Sequence, residues 1–117
     1  MRIGELATRT GVSVRAIRYY ERAGLLRASR HANGYRDFGD EAARRVRAVR
    51  DLLDTGFTID DVVSLADCIE CSAASANCCE STKAVYRAKL ARVDAQMATL
   101  ATLRGRIEQR MGALATC

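Results

Sequence analysis

The chain has 117 residues, of which 49% are apolar and 28% are charged, a composition typical of a globular protein and not of a disordered one. No apolar run approaches the roughly 20 residues of a membrane span, and the N-terminus has no secretory signal. We therefore expect a cytoplasmic protein without a membrane partner.

The net charge of +5 is distributed unevenly along the chain. Residues 1–55 hold 12 arginines and 7 acidic residues, whereas residues 56–117 hold 7 basic and 7 acidic residues. A basic surface is either simply solvated or attracts a polyanion such as nucleic acid. Segregation of the positive charge into one half favours nucleic acid.

Two short helices are predicted on either side of Gly11. The first, over residues 2–8, has an apolar face. The second starts after Ser13, a good N-cap, and stops at Gly24, which suits the left-handed position after a last turn. A helix, a glycine-containing turn and a basic helix are typical of a helix-turn-helix.

The second helix divides into an apolar and a basic face. Val14, Ile17 and one tyrosine can face the first helix, and we expect that tyrosine to be Tyr20. The opposite face then presents the remaining long side chains outward: Arg15, Arg18, Tyr19 and Arg22.

Residues 27–38 have no helical period. Asn33–Gly34 is a strong hairpin signal, because a type I′ turn needs positive φ at both central residues. We predict a two-stranded wing with Tyr35 and Arg36 just past its tip. His31 lies in the same segment and has no neighbouring ligand, so it is interpreted as an exposed loop residue.

Two further helices follow the wing. The first is predicted from Asp40 to Thr55, with its apolar residues buried, Leu53 included, and its arginines outside: Arg44, Arg45, Arg47 and Arg50. Thr58 and Asp61 resemble a capping box. They open a helix that runs to about residue 66 and is predicted to be buried through Ile59, Val62, Val63 and Leu65.

Residues 67–80 break this pattern, since they are rich in alanine, serine and cysteine. We interpret them as a cysteine-rich linker, or a distorted helix end, between a DNA-binding domain at 1–66 and a dimerisation helix within 81–117. The chain has five cysteines, a high count for a short chain in a reducing compartment. Metal binding or thiol chemistry is therefore favoured over structural disulfides.

The last 35 or so residues predict one helix, roughly 50 Å long. Apolar residues recur along it at steps of four and three: Tyr86, Leu90, Val93, Met97, Leu100, Ile107, Met111 and Leu114. The exception is Arg104, which occupies one position of the stripe, where the neighbouring Leu103 can take part. A domain of some 60 residues cannot cover so long a stripe, so the expected partner is the same helix of a second copy. The alternative is a helix folded back on its own domain.

These features together resemble the MerR (mercury-resistance regulator) family of transcription factors. The resemblance is carried by RIGELATRTGVSVRAIRYYERAGLL, by NGYRDFGDE and by the helices that follow. It implies a mainly α fold: a winged helix-turn-helix with a small two-stranded wing, then a long dimerisation helix that forms an antiparallel coiled coil. It also implies a homodimer on a palindromic operator in an overlong promoter spacer, where signal binding untwists the DNA for RNA polymerase.

The resemblance also assigns DNA contacts by position. Arg15, Arg18 and Tyr19 would lie on the recognition helix, and Tyr35 and Arg36 on the wing. Arginine can bind guanine or phosphate with two hydrogen bonds, whereas tyrosine anchors the DNA backbone. We expect most of these contacts to position the protein, with Arg15 as the base reader.

For the cysteines, the resemblance implies a site shared between subunits. Metal-sensing members have a cysteine where this chain has Cys79, and further ones after the long helix, near Cys117. Cys79 of one subunit and Cys117 of the other would bind a thiophilic metal ion (Hg, Pb, Cd, Zn or Cu), supplemented by Cys68, Cys71 or Cys78. The chain departs from that pattern, since no second cysteine follows Cys117 and the additional ones lie upstream.

Three alternatives for the cysteines remain open. They could form a thiol-based redox or electrophile sensor, an iron–sulfur site, or simple packing residues, in which case the protein would be a ligand-independent architectural DNA-binding protein. An enzyme is disfavoured, because the sequence has no Ser/His/Asp set and no phosphate-binding glycine loop.

Overall fold

A computed structural model describes residues 1–30, 36–69 and 80–115. In that part of the chain the helices are α1 (Ile3–Thr10), α2 (Val14–Arg22), α3 (Asp40–Asp54), α4 (Ile59–Ser64) and α5 (Glu80–Leu114), with strands β1 (Ser29–Arg30) and β2 (Arg36–Asp37). The chain divides into two compact units, Met1–Thr82 and Lys83–Cys117. The prediction of a mainly α fold with a long C-terminal helix is confirmed.

The first unit is built around one apolar core. Helix α1 packs against α2 and α3, and α3 packs against α4. The largest core side chains are less than 2% exposed: Phe38, Leu6, Ile17, Leu25, Ile69, Val46, Val49 and Val62. Ile69 lies in the segment expected to be a linker, yet it is buried in this core.

Both ends of α2 are fixed by local hydrogen bonds. The Ala16 N–H donates to the hydroxyl of Ser13 over 3.1 Å. At the other end, Gly24 adopts a φ of +82°, and the Leu25 N–H reaches back to the Tyr20 carbonyl over 2.9 Å. This is the geometry of a glycine-terminated helix, and both predicted boundaries of α2 are confirmed.

A Ser13→Ala protein is expected to lose about 1 kcal/mol of stability, because the first turn of α2 loses the side-chain acceptor for one backbone N–H. Urea unfolding measures the loss. Ser13→Asn is the matched control, since asparagine is an equally good N-cap. An equal loss in both variants would show that the cap is not the cause.

The wing is a short antiparallel ribbon. Ser29 lies opposite Asp37 and Arg30 opposite Arg36. The Phe38 N–H donates to the Met1 carbonyl over 2.6 Å, which attaches the end of the ribbon to the start of the chain. The predicted strands are therefore confirmed, whereas the Asn33–Gly34 turn and His31 lie outside the described residues.

An exposed ion pair connects α1 to α3. The Arg9 guanidinium lies 2.6 Å from the Asp40 carboxylate. The hydrogen bond and the positive charge of Arg9 hold the pKa of Asp40 below its usual value of 3.8. Asp40 also lies in the first turn of α3, where a negative charge is favourable.

Helix α4 begins with the predicted capping box. The Asp61 N–H donates to the Thr58 hydroxyl over 3.2 Å, and the Thr58 N–H donates to the Asp61 carboxylate over 3.0 Å. The second bond provides a donor for the carboxylate of Asp61, a residue that is only 9% exposed.

Four side-chain positions differ from the sequence prediction, and one of them is Ile59, which was predicted to be buried and is half-buried. Val63 was predicted to be buried and is 42% exposed, because the short α4 buries only Asp61 and Val62, and Val63 lies beside this narrow face. Leu53 is half-buried rather than buried. Arg45 was predicted to lie outside and is half-buried, because its guanidinium donates hydrogen bonds to two backbone carbonyls outside α3.

Helix α5 has 35 residues and is about 52 Å long. Its large apolar side chains are between 46% and 66% exposed in the single chain: Leu90, Met97, Leu100, Leu103, Ile107, Met111 and Leu114. A stripe of this length without cover is unusual on a soluble surface. Among the described helices none is long and apolar enough to cross a membrane.

Candidate nucleic-acid interface

Helix α2 presents a basic face to solvent. At 3.6 residues per turn, its exposed long side chains fall within an arc of about 100°: Arg15, Arg18, Tyr19 and Arg22. The opposite side of the helix is buried through Ile17, at 0% exposure, and Tyr20, at 3%. Tyr19 is 46% exposed, so the two adjacent tyrosines lie on opposite sides of α2, as the sequence predicted.

The arginines on this face have no acidic partner among the residues that the structure describes. Elsewhere in the first unit, Arg9 pairs with Asp40, and Arg50 lies 3.2 Å from Asp54. Arg15, Arg18 and Arg22 make no such pair within residues 1–30, 36–69 and 80–115. Their charge is therefore available to an external anion, and the planar guanidinium matches phosphate and the edge of guanine.

The wing carries an arginine on each of its two strands. The strand register sets Arg30 and Arg36 opposite each other. The side chains of Arg30 and Arg36 and all of Tyr35 lie outside the described residues, and the DNA contacts of Tyr35 and Arg36 remain predictions.

Arg45 is a structural arginine that the sequence interpretation missed. Its Nε donates to the Leu25 carbonyl, and its Nη2 donates to the Ala66 carbonyl over 2.7 Å. The signal was present, since Arg45 precedes the buried residues Val49 and Leu52 by four and seven positions and so shares their face of α3. Carbonyl groups that are removed from water need hydrogen-bond donors, and the long Arg45 side chain reaches two such carbonyls from α3.

A groove of about 850 Å³ opens beside this arginine, between the residues after α2, strand β2 and α3. Charged side chains of both signs line it: Arg27, Arg44, Arg45, Asp37, Glu41 and Asp67. One of these carboxylates, Asp37, is already paired with the N-terminal ammonium over 2.8 Å.

The metal prediction falls almost wholly on residues that the structure does not describe. Cys71, Cys78, Cys79 and Cys117 lie outside the described residues, and Cys68 is half-buried. Across the described ranges no group of three or more His, Cys, Asp or Glu side chains could hold an ion. The thiolate site therefore remains a prediction from the sequence.

Comparisons with known proteins point to one family. Residues 1–67 match the family model described as "MerR HTH family regulatory protein". The HTH-type transcriptional regulator HmrR of Rhizobium leguminosarum bv. viciae is 32% identical over 109 residues, which cover 92% of this chain and 81% of HmrR. Nodulation protein NolA of Bradyrhizobium elkanii is 44% identical over 62 residues, which are 52% of this chain but 28% of NolA. The chain thus spans well under half of that relative's length.

A solved structure extends the similarity to both units. The transcription regulator PbrR691 from Ralstonia metallidurans CH34, crystallised in complex with lead(II), superimposes with a TM-score of 0.78 at 26% identity. The match covers 93% of this chain and 83% of PbrR691.

Proposed function

Because the chain belongs to the MerR HTH family of regulatory proteins, we propose that it is a homodimeric transcriptional regulator that binds promoter DNA and senses a thiophilic metal ion through cysteine thiolates. The family resemblance noted in the sequence is confirmed. So is the prediction that the chain is not an enzyme, since this family consists of transcriptional regulators.

The observation that carries the DNA-binding part is the α2 face. Three arginines without acidic partners among the described residues and one exposed tyrosine share a single side of a helix whose ends are fixed. Phosphates bind such a face without regard to sequence, and one arginine can read a guanine edge. In this proposal Arg18 and Tyr19 contact the DNA backbone, and Arg15 reads a base. Tyr35 and Arg36 extend the interface from the wing.

The α5 stripe supports the dimer. Its seven large apolar side chains, exposed in the single chain, repeat at coiled-coil spacing over most of the helix. A second copy running antiparallel would cover the stripe along its full length. It would also give the molecule the two-fold symmetry that a palindromic operator requires.

The sensor part rests on cysteine chemistry and on geometry that the proposed dimer would impose. The stripe is centred near Leu100, so antiparallel pairing would bring the end of one α5 towards the start of the other, and Cys79 and Cys117 lie close to these two helix ends in the sequence. Cys79 and the partner's Cys117 would then supply two thiolates, with Cys68, Cys71 or Cys78 as further donors. Thiolates prefer soft ions such as Hg, Pb, Cd, Zn and Cu(I), and the related PbrR691 was solved with lead(II).

For promoter control we propose a change in DNA shape. In the cytoplasm, the dimer would bind the operator within the promoter spacer. Metal bound at the cysteines would make the protein untwist this DNA, so that RNA polymerase can contact both promoter elements. Deforming DNA in this way alters recognition at bases that the protein never touches.

Anaerobic titration of the reduced protein tests the sensor. Hg(II), Pb(II), Cd(II), Zn(II) and Cu(I) are added in turn, and metal stoichiometry is followed together with thiolate-to-metal charge-transfer absorbance where the ion gives it. The unchanged protein is expected to bind one of these ions tightly per shared site, and Cys79→Ser is expected to bind it at least roughly tenfold more weakly, since a first ligand is lost.

Failure to bind any of these ions would favour the redox alternative. If no ion binds and the thiols instead oxidise and reduce reversibly, the protein is a redox sensor on the same DNA-binding frame. That alternative is favoured by the C-x-x-C pair Cys68 and Cys71, which lies close to Cys78 and Cys79.

A further inference from the structure

Arg45 connects the two parts of the first unit that the proposed function requires to communicate. From the middle of α3 its Nε donates to the Leu25 carbonyl, and its Nη2 donates to the Ala66 carbonyl over 2.7 Å. The donors of a guanidinium have fixed directions in one plane. The two carbonyls are therefore held in a fixed relation to each other.

One end of this link is the last turn of the basic helix. Leu25 closes that turn, because its N–H donates to the Tyr20 carbonyl over 2.9 Å and its side chain is 1% exposed. Arg22, a member of the exposed basic face, lies in the same turn. A displacement of the Leu25 carbonyl would therefore tilt the C-terminal end of α2.

The other end is the turn that leads into the cysteines. The Ala66 N–H donates to the Val63 carbonyl over 3.1 Å, and the Cys68 N–H donates to the Leu65 carbonyl over 2.8 Å. Cys68 is the first of four cysteines within twelve residues and lies two residues beyond the carbonyl that Arg45 holds. A ligand or oxidant that moves this turn would act on Arg45 directly.

We propose that Arg45 is a positioning residue that couples the turn at residues 65–69 to the DNA-contacting helix α2 through its two carbonyl bonds. This inference rests on the proposed function, since it takes α2 as the DNA-binding helix. Lysine keeps the charge but offers a single ammonium in place of the planar fork, so Arg45→Lys should break the coupling while leaving the charge of α3 unchanged.

Coupling between two sites is reciprocal, so DNA bound at α2 should also affect the turn at residues 65–69. The test therefore uses DNA binding as the perturbation. A duplex enriched from a random-sequence library by the full chain is the probe. Hydrogen–deuterium exchange is then followed in peptides that cover residues 65–69, with and without the duplex. In the unchanged protein we expect the bound duplex to slow exchange there by roughly five-fold or more, the lower end of typical coupling between sites.

Arg45→Lys is expected to bind the same duplex and to lose that slowing. Arg45→Gln is a second variant in case the lysine protein does not fold, since the amide can still donate to one carbonyl. Arg50→Lys is the matched control, being an exposed arginine of α3 that pairs within its own helix, and it should retain the slowing in full.

The possible results distinguish a failure of the Arg45 coupling from a failure of the proposed DNA binding. A purely structural role would speed exchange at residues 65–69 equally with and without duplex and preserve the difference between them, which would overturn the inference. An Arg45→Lys protein with the full duplex effect, or an unchanged protein with none, would overturn it as well. Fluorescence anisotropy reports separately whether the chain binds duplex, and if it binds none, both the proposed function and this inference fail.

Discussion

A Leu100→Arg protein is expected to be monomeric at concentrations where the unchanged chain is a dimer. Leu100 is 64% exposed in the single chain and lies at the centre of the α5 stripe. In an antiparallel pair the two copies of position 100 meet near the two-fold axis, close to Arg104, which already occupies one stripe position. Two more buried like charges should raise the dissociation constant roughly a hundredfold or more, about 2.8 kcal/mol.

Sedimentation velocity measures the dissociation constant, and a matched variant isolates the role of the stripe. Thr102→Arg adds the same charge to an exposed position about 200° around the helix from Leu100. It should leave the dimer intact. Binding to a palindromic duplex should weaken in Leu100→Arg, whereas weak binding to a half-site should persist. Equal dissociation constants for the two variants would place the dimer contact elsewhere.

An Arg18→Ala protein is expected to bind duplex DNA about tenfold more weakly for each bound subunit. The reason is the loss of one charge-assisted contact of about 1.5 kcal/mol. Because one fewer counterion is released, the slope of log K against log salt should also fall by about 0.9 per subunit. Fluorescence anisotropy over a series of salt concentrations gives both values.

The control for Arg18→Ala removes the same charge from a different surface. Arg106 is an exposed arginine of α5 in the second unit, and Arg106→Ala should change neither the affinity nor the salt slope beyond experimental scatter. If Arg18→Ala leaves both values unchanged, Arg18 does not contact DNA. If both variants lower them equally, net charge and not the α2 face governs binding.

The elements that the sequence predicted well are those specified by local chemistry. Ser13 and Gly24 bound α2 because a hydroxyl acceptor and a residue free to adopt positive φ are needed at those two points. The capping box at Thr58 and Asp61 is local in the same way. Periodicity was equally informative for Ile17 and Tyr20, which share one buried face of the helix.

The positions that the sequence predicted wrongly depend on contacts between distant residues. Arginine is usually exposed, so Arg45 was placed outside, although the carbonyls of Leu25 and Ala66 require a donor from α3. Val63 was expected to be buried with the other apolar residues of α4, but the buried side of this short helix is formed by Asp61 and Val62. The spacing of Arg45 from Val49 and Leu52 indicates a partly buried position, but only the fold brings the two carbonyls within its reach.

The proposed metal site also depends on contacts between distant residues, because it would be shared between two chains. Cys79 and Cys117 are 38 positions apart in the sequence, and only the proposed antiparallel dimer would bring one near the other. The sequence can identify the donors by their chemistry. Their arrangement around an ion depends on the partner subunit.

The most direct test of the central claim asks whether metal changes the DNA that the protein holds. The enriched duplex carries a fluorescent base analogue at its centre and is saturated with reduced protein, after which the ion identified by titration is added. We predict a change in the analogue's emission without release of the duplex, and no change with Cys79→Ser. An emission that stays constant in the unchanged complex for every ion and oxidant tested would contradict the account and leave a DNA-binding protein without a signal.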